Sequence, residues 1–101
     1  MILVRDVFRL KFGKARDAMA VWREMLQQAK RAGYGATSTS LLTDLVGSYY
    51  TIVLESTFDD LASFERGASK LTKDEQWRTS YQKFTLLAES GYREIFTIVT
   101  E

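Results

Sequence analysis

The carboxylate of Asp6 is the titratable group best placed to do chemistry in this chain. Residues 2–12 alternate between apolar and polar side chains, as a half-buried strand does, and Asp6 falls on the apolar side between Val4 and Phe8. A buried carboxylate is costly unless it finds a partner, meets water in an opening or takes up a proton. Asp6 therefore either pairs with an arginine or caps a helix near the rim, or it is the polar group and general base of a cavity.

Four aromatic side chains are the candidates for the walls of such a cavity. Trp22, Trp77 and Tyr81 recur at helical spacing on the apolar faces of two predicted helices, and Phe8 follows Asp6 on the same side of its strand. Aromatic rings at this spacing form the core of many helix-on-sheet proteins, and they also suit a site for a flat apolar molecule. The sequence leaves both interpretations open. We take Phe8, Trp22, Trp77 and Tyr81 as candidate ligand-binding residues and Asp6 as the candidate catalytic residue.

Three cations and two acids are further candidates with weaker support. Arg5, Arg9 and Lys11 share the polar side of the first strand, where they can hold an anionic substrate or face solvent. Glu55 and Asp44 can act as a pair of catalytic acids or serve as cross-strand and edge charges. We favour the solvated or structural interpretation for all five residues.

The composition removes several classes of chemistry. The chain of 101 residues contains no Cys and no His. Disulfides, thiol nucleophiles and Cys-bound zinc are therefore excluded, and the usual general base and commonest metal ligand are missing. No spacing of carboxylates indicates a metal site, and only a tyrosine ligand is left for haem. We expect no cofactor and no metal.

The charge and hydropathy of the chain also restrict its partners. Lys and Arg number 14 against 13 Asp and Glu, and no run of five like charges occurs. No window approaches the 18 or so apolar residues of a membrane-spanning helix. We therefore expect no nucleic-acid partner, no membrane and a cytoplasmic location.

The order of predicted elements is β-α-β-β-α-β over a single domain of residues 1–101. Strands are predicted over residues 2–12, 36–46, 49–58 and 92–100, and helices over residues 15–32 and about 60–91. This order is that of the ferredoxin-like α+β fold, in which a four-stranded antiparallel sheet carries its helices on one face. The strand over residues 49–58, rich in β-branched and aromatic side chains, belongs in the middle of the sheet.

Several local signals set the predicted boundaries. Gly33 ends the first helix, and Gly47 with Ser48 forms a tight turn between the second and third strands. Thr57 or Asp59 caps the next helix.

The second helical region is predicted in two pieces. It is interrupted or bent near Gly67, and it restarts at a capping box formed by Thr72 and Glu75. Gly91 ends this second piece.

The alternation along the strands predicts an apolar second face of the sheet. Facing the helices we place Phe8, Leu10, Ile52, Leu54, Phe96 and Ile98. On the opposite face we place Val7, Thr51, Val53, Ile95, Thr97 and Val99. A half-apolar face of this extent is more than monomers usually expose, so we expect a homodimer in which two sheets pack face to face.

Part of the sequence resembles NIPSNAP-like domains. Residues 10–15 (LKFGKA) open a helix that contains Val21 and Trp22, and in that family a Lys-Pro-Gly-Lys turn precedes a helix with a similarly placed Trp. Residues 52–54 and 58–62 are similar to the second half of the same pattern. The resemblance implies the dimeric α/β-barrel superfamily, which also holds antibiotic-biosynthesis-type monooxygenases, haem-degrading monooxygenases and muconolactone-type isomerases.

The sequence also departs from that family pattern. Phe12 replaces the Pro, Asp6 stands where an Arg is common, and Leu54 or Glu55 stands where a His is often found. No catalytic residue is therefore carried over from the family, and fold alone does not fix function. Two hypotheses follow: binding of a small apolar or aromatic molecule in a helix–sheet cleft, or a cofactor-independent monooxygenase or isomerase. The sequence leaves open whether the protein is an enzyme.

Overall fold

The computed structural model describes residues 1–100, and it has the predicted ferredoxin-like α+β fold. The elements are β1 (Ile2–Leu10), α1 (Ala15–Ala32), β2 (Ser38–Thr43), β3 (Thr51–Phe58), α2 (Leu61–Lys73), α3 (Glu75–Thr85) and β4 (Ala88–Thr97). The strands form one sheet in the order β2-β3-β1-β4, and every neighbouring pair is antiparallel. As predicted, β3 is an internal strand.

Helix α1 follows the predicted pattern closely. Its buried stripe includes Ala18, Trp22 and Met25, which recur at spacings of three and four residues. The helix ends at Gly33, which has a left-handed backbone (φ 88°) and donates its N–H to the carbonyl oxygen of Lys30 at 3.2 Å. A residue without a side chain adopts this conformation at no steric cost, so the predicted stop is confirmed.

Helix α2 is capped by Asp60, which lies one residue after Asp59 and three residues after Thr57, the two predicted caps. The carboxylate of Asp60 accepts a hydrogen bond from the backbone N–H of Ser63 at 2.8 Å. The prediction that Thr57 or Asp59 caps this helix is therefore wrong. Thr57 lies within β3, which runs on to the residue that follows it.

The boundary between α2 and α3 is set by an aspartate rather than by the predicted capping box. Asp74 has an extended backbone, and its carboxylate accepts a hydrogen bond from the N–H of Trp77 at 2.8 Å. Thr72 lies inside α2 and donates its hydroxyl to the carbonyl oxygen of Ser69 at 3.0 Å. The capping box of Thr72 and Glu75 is therefore wrong, because Asp74 is two residues closer than Thr72 to the amides that need a partner.

Gly67 does not interrupt α2, contrary to the prediction. It is buried in the middle of the helix, and a β-carbon at this position would overlap the carbonyl oxygen of Tyr34. The glycine therefore serves a close approach between α2 and the segment that follows α1.

The connection between β2 and β3 is a loop over residues 44–50 and not a tight turn at Gly47 and Ser48. The N–H of Thr51 donates to the carboxylate of Asp44 at 2.9 Å, and the N–H of Asp44 donates to the carbonyl oxygen of Thr51 at 3.2 Å. These contacts close the loop at its base. Both strands are therefore shorter than the sequence pattern predicts.

Strand β4 begins at Ala88, so Gly91 lies within the strand and does not end α3 as predicted. A β-carbon on Gly91 would lie 2.6 Å from the ring of Phe8, which is its direct neighbour on β1. The absence of a side chain at this position leaves room for that ring.

The pairing of β1 with β4 fixes which side chains share a face, because directly opposed residues of antiparallel strands point the same way. On the helix side of the sheet, Asp6 is opposite Arg93, Val4 is opposite Ile95 and Ile2 is opposite Thr97, whereas Leu3 is opposite Phe96 on the other side. The predicted faces of Ile95, Phe96 and Thr97 are therefore wrong. Ile98 and Val99 lie beyond the end of β4.

We call the side of the sheet away from the helices the open face. Its side chains include Leu3, Arg5, Val7, Leu42, Val53, Tyr92 and Phe96. The opposite side packs on the helices through two apolar clusters. One contains Trp22, Met25 and Phe84, and the other contains Phe58 and Phe64.

Candidate functional site

A cleft of about 670 Å³ lies between the helices and the sheet. All five predicted site residues line it, namely Asp6, Phe8, Trp22, Trp77 and Tyr81. They come from β1, α1 and α3, which are far apart in sequence. The structure therefore brings the predicted residues together, while the role of each stays a prediction.

Packing behind the cleft holds its aromatic rings in place. The rings of Trp77 and Tyr81 are stacked, with centroids 5.0 Å apart and an angle of 17° between their planes. Phe8 and Trp22 both pack edge-on against the fully buried Phe84, at 4.8 Å and 5.2 Å. Edge-on and stacked arrangements are favourable for aromatic rings, so these side chains pack together along one side of the cleft.

Asp6 forms an ion pair with Arg93 on the neighbouring strand. The Nε and Nη2 atoms of Arg93 donate to the two carboxylate oxygens of Asp6 at 2.6 Å and 3.4 Å. The side chain of Asp6 is 11% exposed and that of Arg93 is 51% exposed. The hydrogen bond to Asp6 raises the pKa of Arg93 and outweighs the opposing effect of its partial burial.

Tyr34 brings a second polar group to the cleft. It directly follows the glycine that ends α1, and its side chain is buried. Burial raises the pKa of the Tyr34 hydroxyl, and the negative charge of Asp6 acts in the same direction, whereas Ser56 and Arg93 oppose the shift. The hydroxyl is therefore held in its neutral form, which can donate one hydrogen bond and accept another.

Asp6 pairs with an arginine and also lines the cleft, and its role as a general base stays a prediction. Sequence reasoning missed Arg93 and Tyr34. Alternation places Arg93 on the same side of the last strand as Ile95, which the sequence predicts to face away from the helices, because both sides of that strand are apolar in its second half. Tyr34 lies in a predicted loop, where no periodic pattern indicates burial.

The ion pair also lies beside a second opening. Asp6, Phe8, Tyr81 and Arg93 line both the cleft and a neighbouring cavity of about 390 Å³. These four side chains therefore form the wall between the two spaces.

One polar group among the residues that line the cleft has no hydrogen-bond partner. The indole N–H of Trp22 is buried and makes no hydrogen bond within residues 1–100. Buried donors are usually satisfied, so this N–H is an exception among the side chains around the cleft.

Two further structural features bear on possible functions. The part of the chain that the structure describes contains no group of three acidic side chains arranged to hold a metal ion. In the same residues, no helix is both long and apolar enough to cross a membrane.

Solved structures with the same fold include two NIPSNAP proteins. An uncharacterized NIPSNAP domain protein from Burkholderia xenovorans is 16% identical with a TM-score of 0.85, over 98% of this chain and 95% of that one. A NIPSNAP family protein from Agrobacterium tumefaciens is 17% identical with a TM-score of 0.85, over 97% of this chain and 92% of that one. At this level of identity the likeness shows a shared fold.

The same fold is found in an oxygenase. A variant of SnoaB, a cofactor-independent oxygenase from Streptomyces nogalater, is 14% identical with a TM-score of 0.76, over 99% of this chain and 94% of that one. None of the curated proteins matches this chain. The sequence profile of the NIPSNAP family, however, matches residues 5–99. The chain therefore belongs to the NIPSNAP family.

Proposed function

We propose that this protein binds a small apolar or aromatic molecule in the cleft between the helices and the sheet. The observation that carries the proposal is a cleft of about 670 Å³ whose lining combines aromatic and apolar side chains with a smaller number of polar groups. Ligand sites in proteins are typically roughly 300–1,000 Å³, mostly apolar, with a few polar groups that orient the ligand. The ion pair of Asp6 with Arg93 and the hydroxyl of Tyr34 supply such groups.

The two tryptophans provide a direct test, because Trp22 and Trp77 are the only tryptophans in the chain and both line the cleft. We expect ligands from a panel of quinols, polyphenols and lactones to change the tryptophan fluorescence in a saturable way. Tyr81→Ala should weaken the binding, because it removes half of the aromatic stack. The exposed Leu86, which does not line the cleft, provides the control variant Leu86→Ala. A panel that leaves the fluorescence unchanged up to its solubility limit would contradict the proposal.

A second candidate function is cofactor-independent oxygenation or isomerisation. It is supported by the adjacent carboxylate of Asp6 and neutral hydroxyl of Tyr34, which can accept and donate a proton within an apolar cleft. The fold shared with an oxygenase named as cofactor-independent supports it further. In this role Asp6 is the general base and Arg93 keeps it in place.

The test of this second candidate is turnover. Incubation with the same panel in air, followed by mass spectrometry, should show a product that gains oxygen or is an isomer of the substrate. Asp6→Asn should fold normally and lose at least about a hundredfold in rate, the usual contribution of a positioned base. If Asp6→Asn turns over as fast as the unchanged protein, Asp6 is not the base.

The cytoplasmic location stays a prediction.

We also propose that two copies of the chain pack through their open faces. Leu42, Tyr92 and Phe96 are exposed on the open face by 42%, 57% and 47%, and Val53 lies near its middle. The loop between β2 and β3 adds Leu45, which is 97% exposed. An apolar surface of this kind is typical of an interface.

Val53→Asp should disrupt the dimer, because the dimer would bury an unpaired charge. Light scattering during size-exclusion chromatography measures the mass directly. We expect twice the chain mass of 11.6 kDa for the unchanged protein and monomer or aggregate for Val53→Asp. A mass of 11.6 kDa for the unchanged protein at micromolar concentration would end the dimer proposal.

A further inference from the structure

The charged side chains in the wall of the cleft do not cancel. Asp6, Lys30 and Arg93 are the charged residues that line it. Two cations and one carboxylate leave one positive charge in excess at neutral pH. The other lining side chains are apolar, aromatic or uncharged. A cleft with this balance favours a ligand that carries one negative charge.

Arg93 retains hydrogen-bond donors after it has paired with Asp6. A guanidinium group has five N–H donors, and two of its nitrogens donate to the carboxylate oxygens of Asp6. No other residue in the described part of the chain accepts a hydrogen bond from Arg93. At least part of its donor set is therefore available to a ligand oxygen, and guanidinium groups bind carboxylates well through paired N–H donors.

The position of Arg93 places these donors beside the aromatic part of the cleft. Its guanidinium carbon lies 5.1 Å from the ring centroid of Phe64, which also lines the cleft. The carboxylate of Asp6 accepts two hydrogen bonds from the same group. Between these two contacts the guanidinium is fixed in the wall and is still half exposed. It is therefore preorganised to receive an anion.

We infer that the ligand of the cleft is a planar aromatic carboxylate whose negative group binds Arg93 and whose ring packs against Trp77 and Tyr81. This inference rests on the proposed binding function and adds the charge and shape of the ligand. Lys30 on α1 contributes the remaining positive charge of the cleft wall. The neutral hydroxyl of Tyr34 supplies a further hydrogen bond near the same corner.

The test compares three probes of one shape and different charge: naphthoate, the neutral naphthamide and the cationic aminomethylnaphthalene. Isothermal titration calorimetry measures the affinity of each for the full chain. We expect naphthoate to bind at least about tenfold more tightly than naphthamide, in line with a charge-assisted hydrogen bond. Aminomethylnaphthalene should bind most weakly.

A double variant assigns the preference to Arg93. Asp6→Asn combined with Arg93→Gln keeps two groups that can hydrogen-bond to each other but removes both charges. We expect it to bind naphthamide as before and to lose about tenfold of the preference for naphthoate. Arg78→Gln is the matched control, since Arg78 is exposed on α3 and does not line the cleft. It should keep the full preference.

Circular dichroism and thermal unfolding determine whether the double variant is folded. If it is not folded, Arg93→Lys is tested in its place, because lysine keeps the positive charge but lacks the forked donor geometry of arginine. We then expect naphthoate to bind several-fold more weakly than to the unchanged protein, with naphthamide unaffected.

The outcomes separate this inference from the proposal on which it rests. If none of the three probes binds at millimolar concentration, the proposed binding function fails and the inference fails with it. If naphthoate and naphthamide bind the unchanged protein equally, only the inference is overturned. The same holds if the double variant, or Arg93→Lys in its place, keeps the full preference.

Discussion

Two ion pairs that are neighbours in sequence lie on opposite faces of the sheet. On the open face Arg5 of β1 is opposite Glu94 of β4, and on the helix side Asp6 of β1 is opposite Arg93 of β4. Each strand carries an arginine followed by an acid, and because the strands are antiparallel each arginine lies opposite an acid. The surroundings of the two pairs differ. This difference marks Arg5 as a structural group and Arg93 as a candidate binding group.

The arginine on the open face is paired with two acids. The Nε and Nη1 atoms of Arg5 donate to Glu55 and Glu94, both at 3.2 Å. Burial opposes the charge of Arg5, but the hydrogen bonds to these carboxylates outweigh it and raise its pKa. On the helix side β3 contributes Leu54 opposite Asp6, so that Arg93 has one acid and a cleft beside it. An arginine that is paired with a single acid beside an aromatic-lined cleft is the better binding group.

The largest effect should come from the helix side of the sheet. Trp22→Ala removes a buried ring from the apolar cluster around Phe84, and we expect a loss of roughly 3–5 kcal/mol in the free energy of unfolding. Phe96→Ala removes a half-exposed ring from the open face and should cost about 1 kcal/mol or less in the monomeric chain. Urea titration measures both. A loss below about 1 kcal/mol for Trp22→Ala would mean that α1 packs through another face.

The next effect compares the two arginines directly. Arg93→Ala leaves Asp6 buried without its partner, and we expect a loss of about 3 kcal/mol, the lower end for a broken buried pair, because Arg93 is half exposed. Arg5→Ala should cost about 1 kcal/mol, since its partners Glu55 and Glu94 are themselves partly exposed.

The same urea titrations rank the two losses. Equal losses for Arg93→Ala and Arg5→Ala would remove the distinction between the two sides. Asp6→Asn combined with Arg93→Ala should recover part of the loss, because no buried charge is then left unpaired.

The smallest effect concerns pH. The pKa of the Tyr34 hydroxyl is raised above its ordinary value of 10.0, so the folded state retains this proton more strongly than the unfolded state. Its contribution to stability is therefore complete below about pH 10 and declines as the pH rises further. Tyr34→Phe lacks this contribution. The difference in unfolding free energy between the two proteins should narrow above about pH 10, and a constant difference would contradict the shift.

The sequence predicts the fold and much of the site because its periodic patterns are strong where burial is one-sided. Alternation along β1 places Asp6 among apolar residues, and the spacing of Trp22 and Trp77 places both on buried helix faces. The structure confirms the ferredoxin-like order of strands and helices that these patterns predict.

What the sequence does not predict depends on contacts between distant residues. The side of the sheet on which Arg93 lies is set by the register between β4 and β1. Tyr34 is buried because its loop packs against α2 at Gly67. The cap at Asp74 competes with a nearby threonine motif, and only the backbone geometry separates them.

The arrangement of the two ion pairs also makes the assembly of the sheet selective. If β4 slid by one residue along β1 in one direction, Arg5 would come opposite Arg93. A slide in the other direction would bring Asp6 opposite Glu94. Either error replaces two attractive pairs by a repulsion between like charges, and it turns every side chain of β4 to the wrong face. These four charged side chains thus disfavour a one-residue shift from the native register in either direction.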